Sequence, residues 1–234
     1  MKILVTGGSG FIATNFNRLL LEKNYQIDSL DNLSYASTMS NHNDLLSDDN
    51  FRFIHEDIRN HEIYNLIKKN KYSAVINFAA ESHVDRSIKN DSEFLSTNIN
   101  GTHNIISACK QLLEEKALDH NFKFIQISTD EVYGSLDEDE KPFTEFSMLK
   151  PSNPYSATKA AADLLCLSYF KTHNLPVIVT RCSNNYGPYQ HPEKFIPLSI
   201  SRINKNSKVP IYGNGQQIRD WIYVEDHCLG ILAA

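Results

Sequence analysis

"KILVTGGSGFIA", Lys2–Ala13, decides the fold. A β-branched apolar run enters a glycine-bearing turn, and a helical pattern with Phe11, Phe16, Leu19, Leu20 and Lys23 at helical spacing leaves it. Gly7, Gly10 and Ala13 recur at three-residue intervals across that junction. Glycine lets a turn adopt positive φ and lets backbone N–H groups approach a pyrophosphate. The N-terminus of the following helix adds a partial positive charge. The spacing is G-x-x-G-x-x-A, where the dinucleotide fingerprint is usually G-x-G-x-x-G; the third position serves helix–strand packing, and a methyl fits there.

Outward from this turn, short apolar runs alternate with longer helical patterns. "YQIDSLDN", "FRFIHEDI", "SAVINFAA", "FKFIQIST" and "PVIVTRCS" read as strands two to six. Helices are expected at Phe11–Asn24, Asp91–Ala117 and Asn153–His173. The alternation predicts an α/β fold: a Rossmann-like, doubly wound parallel sheet. Residues 1–181 would form the dinucleotide-binding domain. Residues 182–234 would contribute to a smaller substrate-binding region whose C-terminal part is absent. The closing "CLGILAA" reads as an apolar helical run without a polar tail, as in a fragment or a naturally short form.

Composition is ordinary for a globular protein, with 22% charged and 41% hydrophobic residues. A net charge of −5 speaks against nucleic acid, whose phosphates want a basic face. Cys109, Cys166, Cys182 and Cys228 form no C-x-x-C pair and read as buried free thiols in a reducing compartment. The nine histidines have no ligand spacing, so no metal site is expected. No stretch approaches the length of a membrane span, and the first strand starts at once, without a signal peptide; the expected location is cytoplasmic. "SLDEDEKPFTE", Ser135–Glu145, reads as a solvated acidic loop.

Asp31 ends the second strand about twenty residues after the glycine turn, where an acid accepts hydrogen bonds from the adenosine ribose and repels a 2′-phosphate. No arginine stands beside it, so the expected cofactor is NAD. Asp57 and Ile58 are suited to the adenine amino group and its apolar face. Ala79 and Ala80 leave room for a cofactor against the backbone; His83 reads as a structural or substrate-side hydrogen-bonder.

In "NPYSATKAAAD", Tyr155 and Lys159 stand four residues apart, on one face of a helix. An ammonium and a positive nicotinamide nearby favour the phenolate, which would then take a proton from an alcohol. "STDEVYG" sets Thr129, Asp130 and Glu131 side by side at the carboxyl end of strand five, where open α/β sheets bind ligands. Two neighbouring carboxyls raise each other's pKa, which helps keep one protonated.

These motifs together resemble the extended short-chain dehydrogenase/reductase family. "AAESHVDRSI", "STDEVYG", "RCSNNYGPYQHPEKFIPL" and "YGNGQQIRDWIYVEDH" resemble its dTDP-glucose 4,6-dehydratases in particular, over residues 2 to about 231. The resemblance implies that Tyr155 takes the C4 hydroxyl proton, with Thr129 and Lys159 beside it. It implies that Glu131 removes the C5 proton and Asp130 protonates the departing C6 hydroxyl. It adds Phe11, Ile12, Asn32, Leu33, Ser34, Phe78, Ser82, Thr97 and Asn185 to the cofactor residues. It gives Ser82, His83, Thr129, Asn184, Lys194, Phe195, Pro210, Ile211, Tyr212 and Arg219 to the nucleotide-sugar substrate. By the same analogy, the helices at Asp91–Ala117 and Asn153–His173 pair with a second subunit in a homodimer. Two other functions stay open: a dehydratase or epimerase of a UDP- or GDP-sugar, and a non-catalytic NAD-binding protein.

Overall fold

The computed structural model describes residues 1–137, 139–211 and 213–234. Six strands, β1 Lys2–Thr6, β2 Gln26–Asp31, β3 Phe51–His55, β4 Ala74–Asn77, β5 Lys123–Thr129 and β6 Val177–Cys182, form one parallel sheet. Their spatial order is β3-β2-β1-β4-β5-β6, the doubly wound arrangement the alternation predicts. β1 pairs with β2 from Lys2 opposite Gln26, and with β4 from Ile3 opposite Ala74. The chain reverses direction across the sheet at β1 and β4, so a crevice opens beyond their carboxyl ends.

Side chains alternate between the two sheet faces, and each face has its own cover. Leu4, Val75 and Phe124 pack on one side with residues of α2 Ile63–Asn70, α5 Thr102–Glu114 and α6 Pro154–His173. Ile3, Val5, Ile76, Ile125 and Ile127 pack on the other with Ala13, Phe16 and Leu20 of α1 Phe11–Glu22. α8 Val224–Ala233 joins this second layer through Val224, Cys228 and Ile231, so the sheet's core takes in chain from beyond residue 181. Each fully buried Phe or Leu contributes about 1.5–3 kcal/mol of transfer free energy.

The long helix expected at Asp91–Ala117 is not uniform. α4 Ser92–Phe94 passes into a π-helical segment, Leu95–Gly101, before α5 begins. Elements the sequence reading did not place are α2, α3 Val84–Lys89, α7 Phe195–Asn204 and a two-stranded parallel pair, β7 Asn184–Tyr186 with β8 Trp221–Tyr223. Cys109, Cys166 and Cys228 are buried and Cys182 half-buried, all as free thiols. Among the described residues, no helix is long and apolar enough to cross a membrane.

Gly7 has φ +67°, and a Cβ built on it would stand 2.6 Å from the backbone nitrogen of Ala79. Both partners are backbone, so neither gives way cheaply. Gly7→Ala is therefore expected to cost about 1–3 kcal/mol, read as a lower Tm.

Candidate active site

A cleft of about 1230 Å³ opens at the switch point. Gly7, Gly10, Phe11 and Ile12 line it from the first turn and α1; Asp31, Asn32 and Ser34 from the end of β2; Phe78, Ala79, Ala80 and Ser82 from beyond β4. Asp31 is buried, and its carboxylate fixes the local backbone. Oδ2 accepts the Ser9 N–H at 2.9 Å; Oδ1 accepts the Leu33 N–H at 2.7 Å and the Ser37 hydroxyl at 2.9 Å. Ser9 lies inside the glycine turn, so one carboxylate ties the pyrophosphate end of a dinucleotide site to its ribose end. Burial raises the Asp31 pKa, and these hydrogen bonds oppose that. The small-residue turn and the acid at its side fit a dinucleotide with an unphosphorylated adenosine ribose.

Of the two residues expected at the adenine end, the structure brings one to the cleft. Asp57 is outside the lining, because Arg59 takes both of its oxygens, at 2.9 and 2.7 Å, and holds its carboxyl at about 2. Ile58, also expected there, lines the cleft, together with Glu56. Leu33, at φ +55°, contributes its N–H to Asp31 and lies outside the lining too.

Deeper in, the π-helical segment presents Thr97 to the cleft. Next to it Asn98 is buried, accepting the Glu81 N–H at 2.8 Å and donating to Glu81 O and to Thr158 Oγ1. The irregular turn thus fixes the loop after β4 against α6. Local π segments recur at functional sites for this kind of re-aiming.

α6 starts with Pro154 and a reciprocal cap: Asn153 accepts from the Ser156 N–H, and the Ser156 hydroxyl faces the Asn153 backbone. This cap sets the helix start so that Tyr155 and Lys159 both enter the cleft wall. Lys159 is buried and donates to Ile127 O at 2.7 Å. The expectation of a lowered Tyr155 pKa is not met by the chain's own groups. Burial pushes the phenol well above its ordinary range, and the charges of Glu131, Cys182 and Asp130 push it further; a hydrogen bond with Thr129 opposes them.

Thr129 caps a 3₁₀ turn, Asp130–Tyr133, accepting the Glu131 N–H at 3.3 Å and donating to Asp130 Oδ1 at 3.2 Å. Glu131 lines the cleft; Asp130 stands half-buried beside Thr129, outside the lining. The two acids differ in surroundings. Burial comes first in raising both; Asn153, Arg219 and Lys194 favour the Glu131 carboxylate, whereas that of Asp130 is favoured only by hydrogen bonds from Thr129 and the turn backbone and is opposed by the charge of Asp220. The charge of Asp130 is a secondary influence raising Glu131.

Asn184, Asn185, Lys194, Phe195, Pro210, Ile211 and Arg219 complete the lining. His83 is outside it, with Nε2 3.6 Å from Glu193. Tyr212 lies outside the described residues.

The chain matches the family model described as GDP-mannose 4,6 dehydratase over residues 4–234. The chain belongs to this dehydratase family. It is 46% identical to the dTDP-glucose 4,6-dehydratase of Haemophilus influenzae, covering 97% of this chain and 68% of that protein. It is 47% identical to the low-salt glycan biosynthesis protein Agl12 of Haloferax volcanii, over 99% of this chain and 72% of that one. Among solved structures, DesIV, a dTDP-glucose 4,6-dehydratase of Streptomyces venezuelae with NAD bound, superposes with a TM-score of 0.91 at 41% identity, covering all of this chain and 72% of that one. A UDP-glucuronic acid 4-epimerase of Bacillus cereus superposes with a TM-score of 0.89 at 31% identity. The resemblance to dTDP-glucose 4,6-dehydratases read from the sequence thus holds over nearly the whole chain.

In this member of the dehydratase family, Ser9 carries a further support. Its hydroxyl lies 2.8 Å from His42 Nε2, with both residues buried, and His42 Nδ1 has no hydrogen-bond partner. Burial takes the His42 pKa from 6.5 to about 4. Between those values the unfolded chain binds a proton that the folded one refuses, so stability falls as pH drops through that window and levels off below it. Thermal melts from pH 7 to 4 should show this fall, and His42→Gln should lessen it.

Proposed function

We propose that this chain houses the reaction centre of an NAD-dependent dTDP-glucose 4,6-dehydratase. The observation that carries the reading is Glu131 on the same cleft wall as Tyr155, with Asp130 beside it in a different charge environment. Plain oxidation at C4 needs a base for one proton; elimination needs a second base and an acid. NAD, held against the Gly7–Gly10 turn and Asp31, would supply the hydride acceptor for sugar C4 and the hydride donor for C6. Tyr155 accepts the C4 hydroxyl proton, oriented by the Thr129 hydroxyl, and the Lys159 ammonium favours the phenolate that this requires. The C4 ketone so formed acidifies the C5 hydrogen. Glu131, kept ionisable by Arg219 and Lys194, removes that proton. Asp130, raised by burial and by Asp220 against its hydrogen bonds to Thr129 and the Glu131 backbone, protonates the C6 hydroxyl, which leaves as water. As hydride reaches C6, Glu131 returns a proton to C5, which balances the reaction.

Lys194 and Arg219 suit the substrate diphosphate, since both carry fixed positive charge at the cleft wall and Arg can bind it bidentately. The Asp31 carboxylate favours NAD over its 2′-phosphorylated form. The relatives crystallised with NAD support the same cofactor. Leu164, Leu167 and Phe170 of α6 stand 58%, 41% and 54% exposed, which supports a homodimer packed through this helix.

The test is mass spectrometry of dTDP-glucose after incubation with the protein and NAD, with UDP-glucose and GDP-mannose run in parallel. A product lighter by one water, formed fastest from dTDP-glucose, is expected. Faster loss of water from another sugar moves the nucleotide assignment. An epimer of unchanged mass, or no product from any of the three, overturns the dehydratase reading.

A further inference from the structure

On α6 the residue one turn beyond Lys159 is Asp163, whose side chain is fully buried. The two side chains meet β5 at consecutive residues: Lys159 Nζ donates to Ile127 O at 2.7 Å, and Asp163 Oδ2 accepts the Ser128 hydroxyl at 2.9 Å. Asp163 Oδ2 also accepts Arg181 Nε at 2.8 Å, from β6. Arg181 in turn donates to the Tyr133 hydroxyl at 2.7 Å and lies over its ring at 5.0 Å. Tyr133 is the last residue of the 3₁₀ turn that carries Asp130 and Glu131. The second carboxylate oxygen, Oδ1, is buried without a hydrogen-bond partner. None of these three residues lines the cleft.

We propose that Asp163 is a positioning residue of the reaction: its buried carboxylate keeps Lys159 an ammonium and, through Arg181 and Tyr133, fixes the acid-bearing turn relative to Tyr155. A lysine with no counter-charge is expelled or neutralised on burial. Burial does lower the Lys159 pKa, and Asp163 is the first influence opposing it. The groups facing Asp163 are Lys159 and Cys166 from α6, Ser128 from β5 and Arg181 from β6, with Tyr133 of the 3₁₀ turn reached through Arg181. Arg181 is the direct ion partner of the carboxylate and Lys159 a nearby cation acting on it through space, so removing Asp163 and removing Arg181 have opposite consequences for the lysine.

The inference deepens the dehydratase reading, but its main test needs neither cofactor nor sugar. The side-chain Cε of Lys159 is followed by NMR across pH in protein labelled at lysine, with Lys159→Met assigning the signal. In Asp163→Asn, which keeps shape and the Ser128 contact, the titration midpoint should move down by at least one pH unit. In Arg181→Gln it should move up, because Asp163 then faces Lys159 alone. A midpoint unmoved in both variants, or displaced the same way in both, overturns the proposal. If Asp163→Asn does not fold, Arg181→Gln decides by sign alone: upward supports, unmoved or downward overturns. With turnover established for the unaltered protein, Asp163→Asn should lower kcat at least tenfold with little change in KM, and bring the alkaline limb of the pH profile to lower pH. Unchanged kcat and an unchanged limb count against it, whichever nucleotide proves to be the substrate.

Discussion

Tyr155→Phe is expected to fold, to bind NAD within a few-fold of the unaltered protein, and to lose at least about 10³ in kcat. The change removes one hydroxyl from a buried residue on α6. The ring keeps its edge-on contact with Phe94, 6.5 Å between centroids, so packing has little reason to change. The lost group is the only acceptor proposed for the C4 proton, and oxidation at C4 precedes every later step. Its phenol also begins at a disadvantage, raised by burial and by the two neighbouring acids. Rate should therefore depend steeply on whatever restores the phenolate, namely Lys159 and the charge of an oxidised nicotinamide. The measurement is steady-state turnover alongside NAD titration by fluorescence quenching. Turnover within tenfold of the parent would remove Tyr155 from the role of base.

Glu131→Gln should separate the reaction into halves. Amide and carboxylate are nearly the same shape, and the neighbouring Asn153 can still hydrogen-bond to the amide. What disappears is the ability to take a proton. Oxidation at C4 should continue, so reduced nicotinamide absorbance rises on adding sugar and stays high. Loss of water should slow by about 10²-fold or more. Exchange of the C5 hydrogen in D₂O, followed by NMR, should slow equally. Water loss at the normal rate would assign the C5 base elsewhere. Because Arg219 and Lys194 lose their anionic neighbour in this variant, a tighter hold on the substrate diphosphate is a secondary expectation, visible as a lower KM.

The features legible in the sequence are those that local chemistry decides. Gly7 announces a turn because only that residue type meets Ala79 so closely at positive φ. β1 to β6 show as β-branched runs, and the resulting sheet order follows from their alternation with helices. Thr129, Glu131, Tyr155 and Lys159 were visible as residues, and the fold brings all four to one cleft. Other features depend on contacts that sequence spacing does not encode. Which of two adjacent acids lines the cleft depends on Arg59, which pairs with Asp57 while Glu56 stands in the wall. The π-helical segment at Leu95–Gly101 interrupts a helical apolar pattern that reads as continuous from Asp91. β7 and β8 are three residues each, too short for a period of two to register. The direction of the Tyr155 pKa could not be inferred from the lysine four residues on, because burial and the charges of Glu131, Cys182 and Asp130 set it.

The central position of β1 bears on how the chain is made. β1 leaves the ribosome first and gains β2 as soon as residues 26–31 follow, but its other edge is claimed only by residues 74–77. At about 5–20 residues per second, the 46 residues from 31 to 77 take roughly 2 to 9 seconds to synthesise. Throughout that interval an apolar strand edge, Ile3-Leu4-Val5, is open to any other unpaired strand nearby. Slower translation ahead of β4 would lengthen that exposure, so soluble yield during expression should respond to codon choice between β2 and β4 more than to the same changes after β5.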